Sequence, residues 1–269
     1  MKKIIEQTEN LNTVTTLVRD LERLGVKQGM SILVHSSLSS IGWVNGGAVA
    51  VIEALMQLIT EKGLIVMPTQ SSDWSDPSKW MNPAVPKEWW DEIRLTMPAY
   101  DSDTTPTSGM GRIAETFRTY PLVERSNHPA LSFAAWGDNK KKVLADHSLD
   151  FGLGEKSPLA KLYQLDAHIL FIGTGFDTNT AFHFGEYRAP GYRIVHEGAP
   201  IIEEGKRIWC QYQDIDFEEE LFEQMGELFE QQHIVKKDRM GLAESRLFSL
   251  REAVDFSTAY FRKKRTCNS

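Results

Sequence analysis

Apolar residues at Leu11, Val14, Leu17, Val18, Leu21 and Leu24 recur every three or four positions, which predicts an amphipathic helix that Thr13 can cap and Gly25 can end. A short apolar run, Ser31 to His35 (SILVH), reads as a buried strand. Gly47 to Thr60 then carries Val49, Ile52, Leu55, Leu58 and Ile59 along one helical stripe, and Leu64 to Met67 (LIVM) is a second strand ended by Pro68. Strands separated by helices in this order give an α/β fold with a parallel or mixed sheet.

That rhythm breaks between Gln70 and about Met110. The segment holds four of the seven tryptophans (Trp74, Trp80, Trp89, Trp90), several prolines, and little period beyond a short helix near Lys87 to Leu95. Long irregular insertions serve as lids or binding loops, or they patch a core from outside, and the pattern alone admits both readings. Beyond it, Gly111 to Arg118 reads as a helix, Leu131 to Trp136 as a strand, and Ser157-Pro158 as the cap and first residue of a helix to Leu165. His168 to Ile172 (HILFI) is a further buried strand. Arg193 to His196 and Ala199 to Glu203 read as strands, and the turn Glu204-Gly205 leads into Arg207 to Gln213 as an antiparallel hairpin, so the sheet is expected to be mixed. Phe217 to Gln232 and Ala243 to Arg262 are predicted to close the chain as amphipathic helices. With no internal repeat, low-complexity tract or linker, the expectation is one domain over 1–269 with an irregular insertion at about 70–110.

Composition narrows the function class. No run approaches the roughly 18 consecutive apolar residues of a membrane helix, and the start of the chain lacks a signal-peptide core, so a soluble, cytoplasmic protein is expected. Acidic residues outnumber basic ones 37 to 30, giving a formal charge of −7 that argues against nucleic acid and mildly favours cationic ligands. The basic cluster Arg262-Lys263-Lys264-Arg265 closes a predicted helix, where cations suit the dipole, and is read as structural. Two distant cysteines, Cys210 and Cys267, support neither a disulfide framework nor a cysteine zinc site. Chemistry therefore rests on histidines, carboxylates, hydroxyls and backbone.

Two stretches gather those groups. After the HILFI strand, Asn179 is placed to cap a helix from Thr180, His183 falls near the start of that helix, and Glu186 lies three residues on, along the same face. The positive end of a helix dipole disfavours a second positive charge, so a histidine there is suited to accept a proton as a general base. An isolated HxxE is more often a surface histidine bonded into its own helix. The second stretch, His35-Ser36-Ser37-Leu38-Ser39-Ser40 through Gly42 to Gly46-Gly47, packs hydroxyls and glycines between a strand and a helix. Such a loop suits phosphate oxygens. GxxxxGK[ST] and GxGxxG are both absent, which disfavours a nucleoside triphosphatase and a dinucleotide site and leaves another phosphate-bearing cofactor.

HSSLSSIGWVNGGA from His35, Asp103-Thr104-Thr105-Pro106-Thr107-Ser108-Gly109-Met110-Gly111, Ser126-Asn127-His128-Pro129 with Ser132-Phe133, Phe151-Gly152-Leu153-Gly154, Ser157-Pro158, and NTAFHFGEYRA from Asn179 occur in one order along roughly Leu11 to Arg262. Together they resemble the antibiotic N-acetyltransferase family, the aminoglycoside 3-N-acetyltransferases. The resemblance implies a three-layer α/β/α fold with a central mixed sheet, distinct from the common acetyltransferase fold. It implies acetyl-coenzyme A as cosubstrate, no metal, and a primary amine of a polycationic aminoglycoside as acceptor; a homodimer is compatible with it. By motif position, His183 is the catalytic histidine with Glu186 beside it, and His35, Ser36, Ser37, Leu38, Ser39, Thr107 and Ser108 line the coenzyme site.

Asp73, Asp101 and Asp103, with Asp76, are candidate acceptor carboxylates in the insertion, and Trp74 or Trp80 candidate stacking surfaces; each aspartate singly also suits a turn. His128 is read as structural or as part of the cofactor wall. With neither cysteine in a recognisable motif, direct transfer in a ternary complex is expected. Three alternatives stay open: a non-antibiotic amine as acceptor, a metal-dependent amidohydrolase using His183, Glu186 and another histidine, and a binding protein without turnover.

Overall fold

The computed structural model describes residues 2–8 and 10–267. Its seven-stranded sheet runs in the order β3-β4-β2-β1-β5-β9-β8. These are β1 (Ser31–Ser36), β2 (Leu64–Pro68), β3 (Glu124–Arg125), β4 (Phe133–Gly137), β5 (His168–Ile172), β8 (Lys236–Met240) and β9 (Ala243–Ser249). β1 pairs in parallel with β2 and β5, and every other pairing in this sheet is antiparallel, so the sheet is mixed. A separate antiparallel ribbon joins β6 (Ile194–Glu203) to β7 (Lys206–Ile215). The positive φ angles of Glu204 and Gly205 at its turn match the twist that two-residue hairpins require.

Strand side chains alternate between two cores. Ile32, Val34, Ile65, Met67, Leu170 and Ile172 pack with α2 (Val14–Leu24), α3 (Gly47–Ile59) and α5 (Gly111–Arg118). Leu33, Leu64, Val66, Ile169 and Phe171 face the other way. There they meet α6 (Lys140–Leu144), α7 (Pro158–Gln164), α8 (Thr180–Arg188), α9 (Phe222–Gln232) and α10 (Leu250–Cys267). A sheet covered on both faces reads as continuous apolar runs, which is what SILVH, LIVM and HILFI are. The short α1 (Lys2–Gln7) and α4 (Trp90–Thr96) complete the helices, α4 lying in the insertion. Among the described residues no helix is long and apolar enough to cross a membrane.

Several elements differ from the sequence expectation. The predicted helix from Ala243 is instead β9, hydrogen-bonded between β5 and β8, and α10 starts only at Leu250. Ala243, Ser245 and Leu247 are buried at a period of two, a pattern masked in the sequence by interleaved polar residues. β8 (KKDRM) carried almost no apolar signal because it is the sheet edge, where charged residues block further pairing. The two strands predicted at 193–203 are one, and the helix predicted from Phe217 becomes a 3₁₀ turn, Glu219–Leu221, before α9. On α3, Val49 is exposed and Ala50, Val51 and Ala54 are buried in its place.

Candidate active site

A cavity of about 910 Å³ opens beyond the carboxyl ends of the parallel strands, where open α/β sheets receive ligands. Its walls include His35, Ser36, Ser37, Leu38 and Ser39 after β1, Pro68 and Gln70 after β2, Gly109 to Arg112 before and within α5, and Asn179, Thr180 and His183 on α8. A second cavity of about 510 Å³ lies between the insertion and the β6–β7 ribbon, sharing Leu131, Phe217 and Glu219 with the first.

His183 is the fourth residue of α8, and its Nδ1–H donates to Glu186 Oε2 at 3.1 Å. The i,i+3 spacing therefore produces a direct bond, and with Nδ1 so engaged, Nε2 carries the lone pair. The imidazole packs between Phe217 and Phe222, with ring centroids 4.4 and 4.7 Å away. Glu186 has no solvent exposure. Its Oε1 accepts from the Glu218 backbone N–H at 3.0 Å and from the Arg265 guanidinium at 3.3 Å. Asn179 occupies the cap position before α8, but its side chain makes no capping bond, and its buried carboxamide has no hydrogen-bond partner.

The serine loop forms a compact turn. Ser40 Oγ donates to Ser37 Oγ (2.9 Å), which in turn lies 3.2 Å from Ser39 Oγ. Gly42, Gly46 and Gly47 all adopt positive φ, and a Cβ at Gly47 would meet nothing within 4 Å, so the backbone here is open to close approach. His35 rests edge-on to Phe171, and its Nε2 is buried without a partner. Burial pushes its pKa down to about 3, so the ring is neutral.

Thr107 and Ser108 do not line the cavity. The Thr107 N–H and hydroxyl both donate to Glu115 Oε2, and Ser108 N–H donates to the Gln70 carbonyl, so these residues fasten the turn that presents Gly109 to Arg112. Burial opposes ionisation of Glu115, but its bonds to Arg118 and Thr107 win and hold the carboxyl down to about 2. Asp73, Asp101 and Asp103 are exposed on the insertion and line neither cavity. Asp101 accepts from the Asp103 and Thr104 N–H groups and the Thr104 hydroxyl, the turn-forming use of an aspartate, while Asp76 binds Arg94 and caps a 3₁₀ turn. Trp74 donates to the Pro98 carbonyl and Trp80 to Ser75, both within the insertion.

Carboxylates do converge on the second cavity, and sequence reasoning missed them: Glu197, Asp214, Asp216 and Glu219. They come from the ribbon and the segment after it, where alternating polar residues look like an ordinary solvated face. Asp214 is buried, accepts from the Tyr187 hydroxyl and the Ile215 N–H, and is pushed upward in pKa by that burial. Lys79 of the insertion reaches across to Glu197 and the His196 carbonyl, tying the insertion to β6. His128 is fully buried and structural: its Nδ1 accepts from the Leu131 N–H at 3.0 Å, which sets the turn carrying Leu131 to both cavities. Among the described residues no group of three or more His, Cys, Asp or Glu could hold a metal ion.

Comparison with known proteins places this geometry. A family model described as aminoglycoside 3-N-acetyltransferase matches residues 33–262. The chain is 57% identical to the SPbeta prophage-derived aminoglycoside N(3')-acetyltransferase-like protein YokD of Bacillus subtilis, over 97% of this chain and 96% of the relative. To aminoglycoside N(3)-acetyltransferase VII of Streptomyces paromomycinus it is 32% identical, over 97% and 95%. The crystal structure of YokD superposes with a TM-score of 0.98 at 55% identity, covering 100% of both chains. Two further structures cover 95% of this chain: AAC-IIIb in binary complex with CoASH (TM-score 0.84, 28% identity, 98% of that chain) and AAC-VIa bound to sisomicin (0.86, 30%, 99%). With the family model spanning most of the sequence and the neighbours sharing both fold and length, the chain belongs to the aminoglycoside 3-N-acetyltransferase family.

Proposed function

We propose that the protein transfers the acetyl group of acetyl-coenzyme A to a primary amine, the 3-amino group of an aminoglycoside, with His183 as general base. The observation that carries this reading is the buried His183–Glu186 pair set in the wall of a cavity whose other side is the open, hydroxyl-rich loop after β1. That loop suits the phosphate-bearing cosubstrate: Ser37 and Ser39 supply donors, Gly47 lets the backbone approach, and Arg112 adds a cation at the wall. The coenzyme A bound by AAC-IIIb supports the same cosubstrate here.

The acceptor belongs in the adjoining cavity, where Glu197, Asp214, Asp216 and Glu219 outnumber the cations Lys79 and Arg193 that bridge Glu197 and Asp216, an acidic lining suited to the ammonium groups of an aminoglycoside. The sisomicin bound by AAC-VIa supports that acceptor class. Asp73, Asp101 and Asp103, exposed on the insertion, add long-range attraction for a polycation. As the amine nitrogen forms its bond to the thioester carbonyl, His183 Nε2 takes its proton, and Glu186 stabilises the imidazolium through Nδ1. Ser36 presents a hydroxyl to the cavity and is the proposed partner of the developing oxyanion. The C–S bond then breaks and the sulfur leaves as a thiolate, which needs little assistance because its thiol has an intrinsic pKa near ~8.5; it takes up the proton held by His183 and regenerates the base. No enzyme nucleophile is required, since Cys210 lies on the ribbon and Cys267 at the end of α10, and neither lines a cavity.

Initial-velocity patterns and intact mass test the direct transfer. Intersecting double-reciprocal plots and an unmodified protein after incubation with acetyl-coenzyme A alone are expected. Parallel plots with an acetylated enzyme would contradict it. For the acceptor site, Asp216→Asn and Glu219→Gln are expected to raise acceptor KM more than donor KM, and equal changes in both would count against the acidic cavity.

A further inference from the structure

Arg265, in the last turn of α10, was read from the sequence as part of a basic cluster complementing its own helix. Its guanidinium instead spans the end of α8. Nη1 donates to the Glu186 and Ala189 carbonyls, each at 3.1 Å, and Nη2 reaches Glu186 Oε1 at 3.3 Å. Nε and Nη2 also hold Glu218 Oε1 at 3.1 and 2.8 Å. Glu218 in turn gives its own backbone N–H to Glu186 Oε1, and its neighbour Phe217 packs on the His183 ring.

Glu186 is fully buried, and both of its oxygens are held by protein donors. His183 serves one oxygen; the other has the Glu218 N–H and the Arg265 cation. We propose that Arg265 is a positioning residue for the acetyl transfer, holding the Glu186 carboxyl group aimed at His183 Nδ1 while pinning the C-terminal turn of α8 that carries both. This inference rests on the proposed function, in which His183 is the base. The pairing is central to it: a buried carboxyl group that loses the cation holding one of its oxygens is free to turn away, and the imidazole then loses the group that orients it. Hydrogen bonds to two carbonyls at a helix C-terminus explain why a guanidinium, with five donors in a fixed fork, occupies the position.

The test uses Arg265→Gln and Arg265→Lys, with coenzyme A binding stoichiometry counting competent sites in each preparation. Arg265→Gln is expected to lower kcat per competent site by about 10- to 100-fold while donor KM stays within about two-fold of wild type. Arg265→Lys restores a charge but cannot span all four acceptors, so its kcat falls between the two. An unchanged kcat in Arg265→Gln, or a lysine variant no better than the glutamine one, would overturn the assignment. If Arg265→Gln does not fold, Arg265→Lys decides alone: a reduced kcat per competent site supports the role and a wild-type value removes it. Absence of wild-type turnover with any amine would remove the proposed function beneath the inference, whereas wild-type turnover with unaffected variants would remove the inference only.

Discussion

At the scale of single residues, the HxxE block shows how far spacing carries chemistry. Three residues apart on a helix, His183 and Glu186 share a face, and burial of the carboxylate turns that adjacency into a hydrogen bond. The account predicts that Glu186→Gln, which keeps shape and removes charge, lowers kcat by about 10²- to 10⁴-fold with coenzyme A affinity unchanged, because the imidazolium loses its counter-ion. An unchanged kcat would show that Glu186 only packs. These two residues were legible because they lie within four positions of each other. Phe217, Glu218 and Arg265 complete the same site from 31 to 79 residues away in sequence, and nothing local marks them. Asp101 illustrates the converse: an aspartate in a polar loop is a candidate for binding by its sequence, yet its Oδ1 accepts three bonds from the turn it makes.

At the scale of elements, strands that are buried on both faces announced themselves, and those whose pairing partners decide their state did not. SILVH, LIVM and HILFI were read correctly from apolar continuity alone. Ala243 to Ser249 falls in a predicted amphipathic helix; its Ala, Glu, Arg and Leu do favour helix intrinsically, and pairing with β5 and β8 outweighs that preference. Helix ends were clearer. Thr13 and Thr16 form a reciprocal capping box and Gly25 ends α2 in the left-handed region, so Thr13→Ala is expected to cost about 1 kcal/mol in denaturant unfolding without altering kcat. Gly185 is the tighter constraint. A Cβ there would stand 1.9 Å from Ser257 Oγ and 2.7 Å from both the Val254 carbonyl and the Thr258 nitrogen, so α8 and α10 touch backbone to backbone. Gly185→Ala should cost about 1–3 kcal/mol and lower kcat as well, since the displaced helix carries His183 and Glu186. Full stability and activity in that variant would mean the two helices have slack.

At the scale of the whole molecule, the sheet divides two apolar cores and exposes its parallel strand ends to the cavity, where buried polar groups collect. Three histidines there and just behind it are neutral by burial: His35 and His128 are pushed down to about 3, and His147, whose ring lies 4.9 Å from that of His128 with Nε2 at the Gly152 carbonyl, to about 4. In the unfolded chain each would titrate near 6.5, so between about pH 6.5 and 3 the unfolded state binds more protons than the folded one. Stability is therefore complete above 6.5 and falls as pH drops toward 4. Thermal melts from pH 8 to 5 should show Tm flat above about 7 and declining below about 6.5, ahead of most carboxylate titration. A Tm that stays level to pH 5 would mean these rings are solvated. The α/β class with a mixed sheet is legible in the strand and helix order and the three-layer arrangement in the family resemblance, but the acidic cavity is in neither, since it exists only where the ribbon, the insertion and the segment before α9 meet.

The central claim is that His183 drives acetyl transfer from acetyl-coenzyme A to an aminoglycoside, and thiol release measures it most directly. Wild-type protein and His183→Ala would be compared with and without a panel of aminoglycosides. Acceptor-dependent thiol release by the wild type and a loss of about 10²-fold or more in the variant, with coenzyme A binding retained, are expected. Equal rates in the two proteins, or no acceptor-dependent thiol release by the wild type, would contradict it.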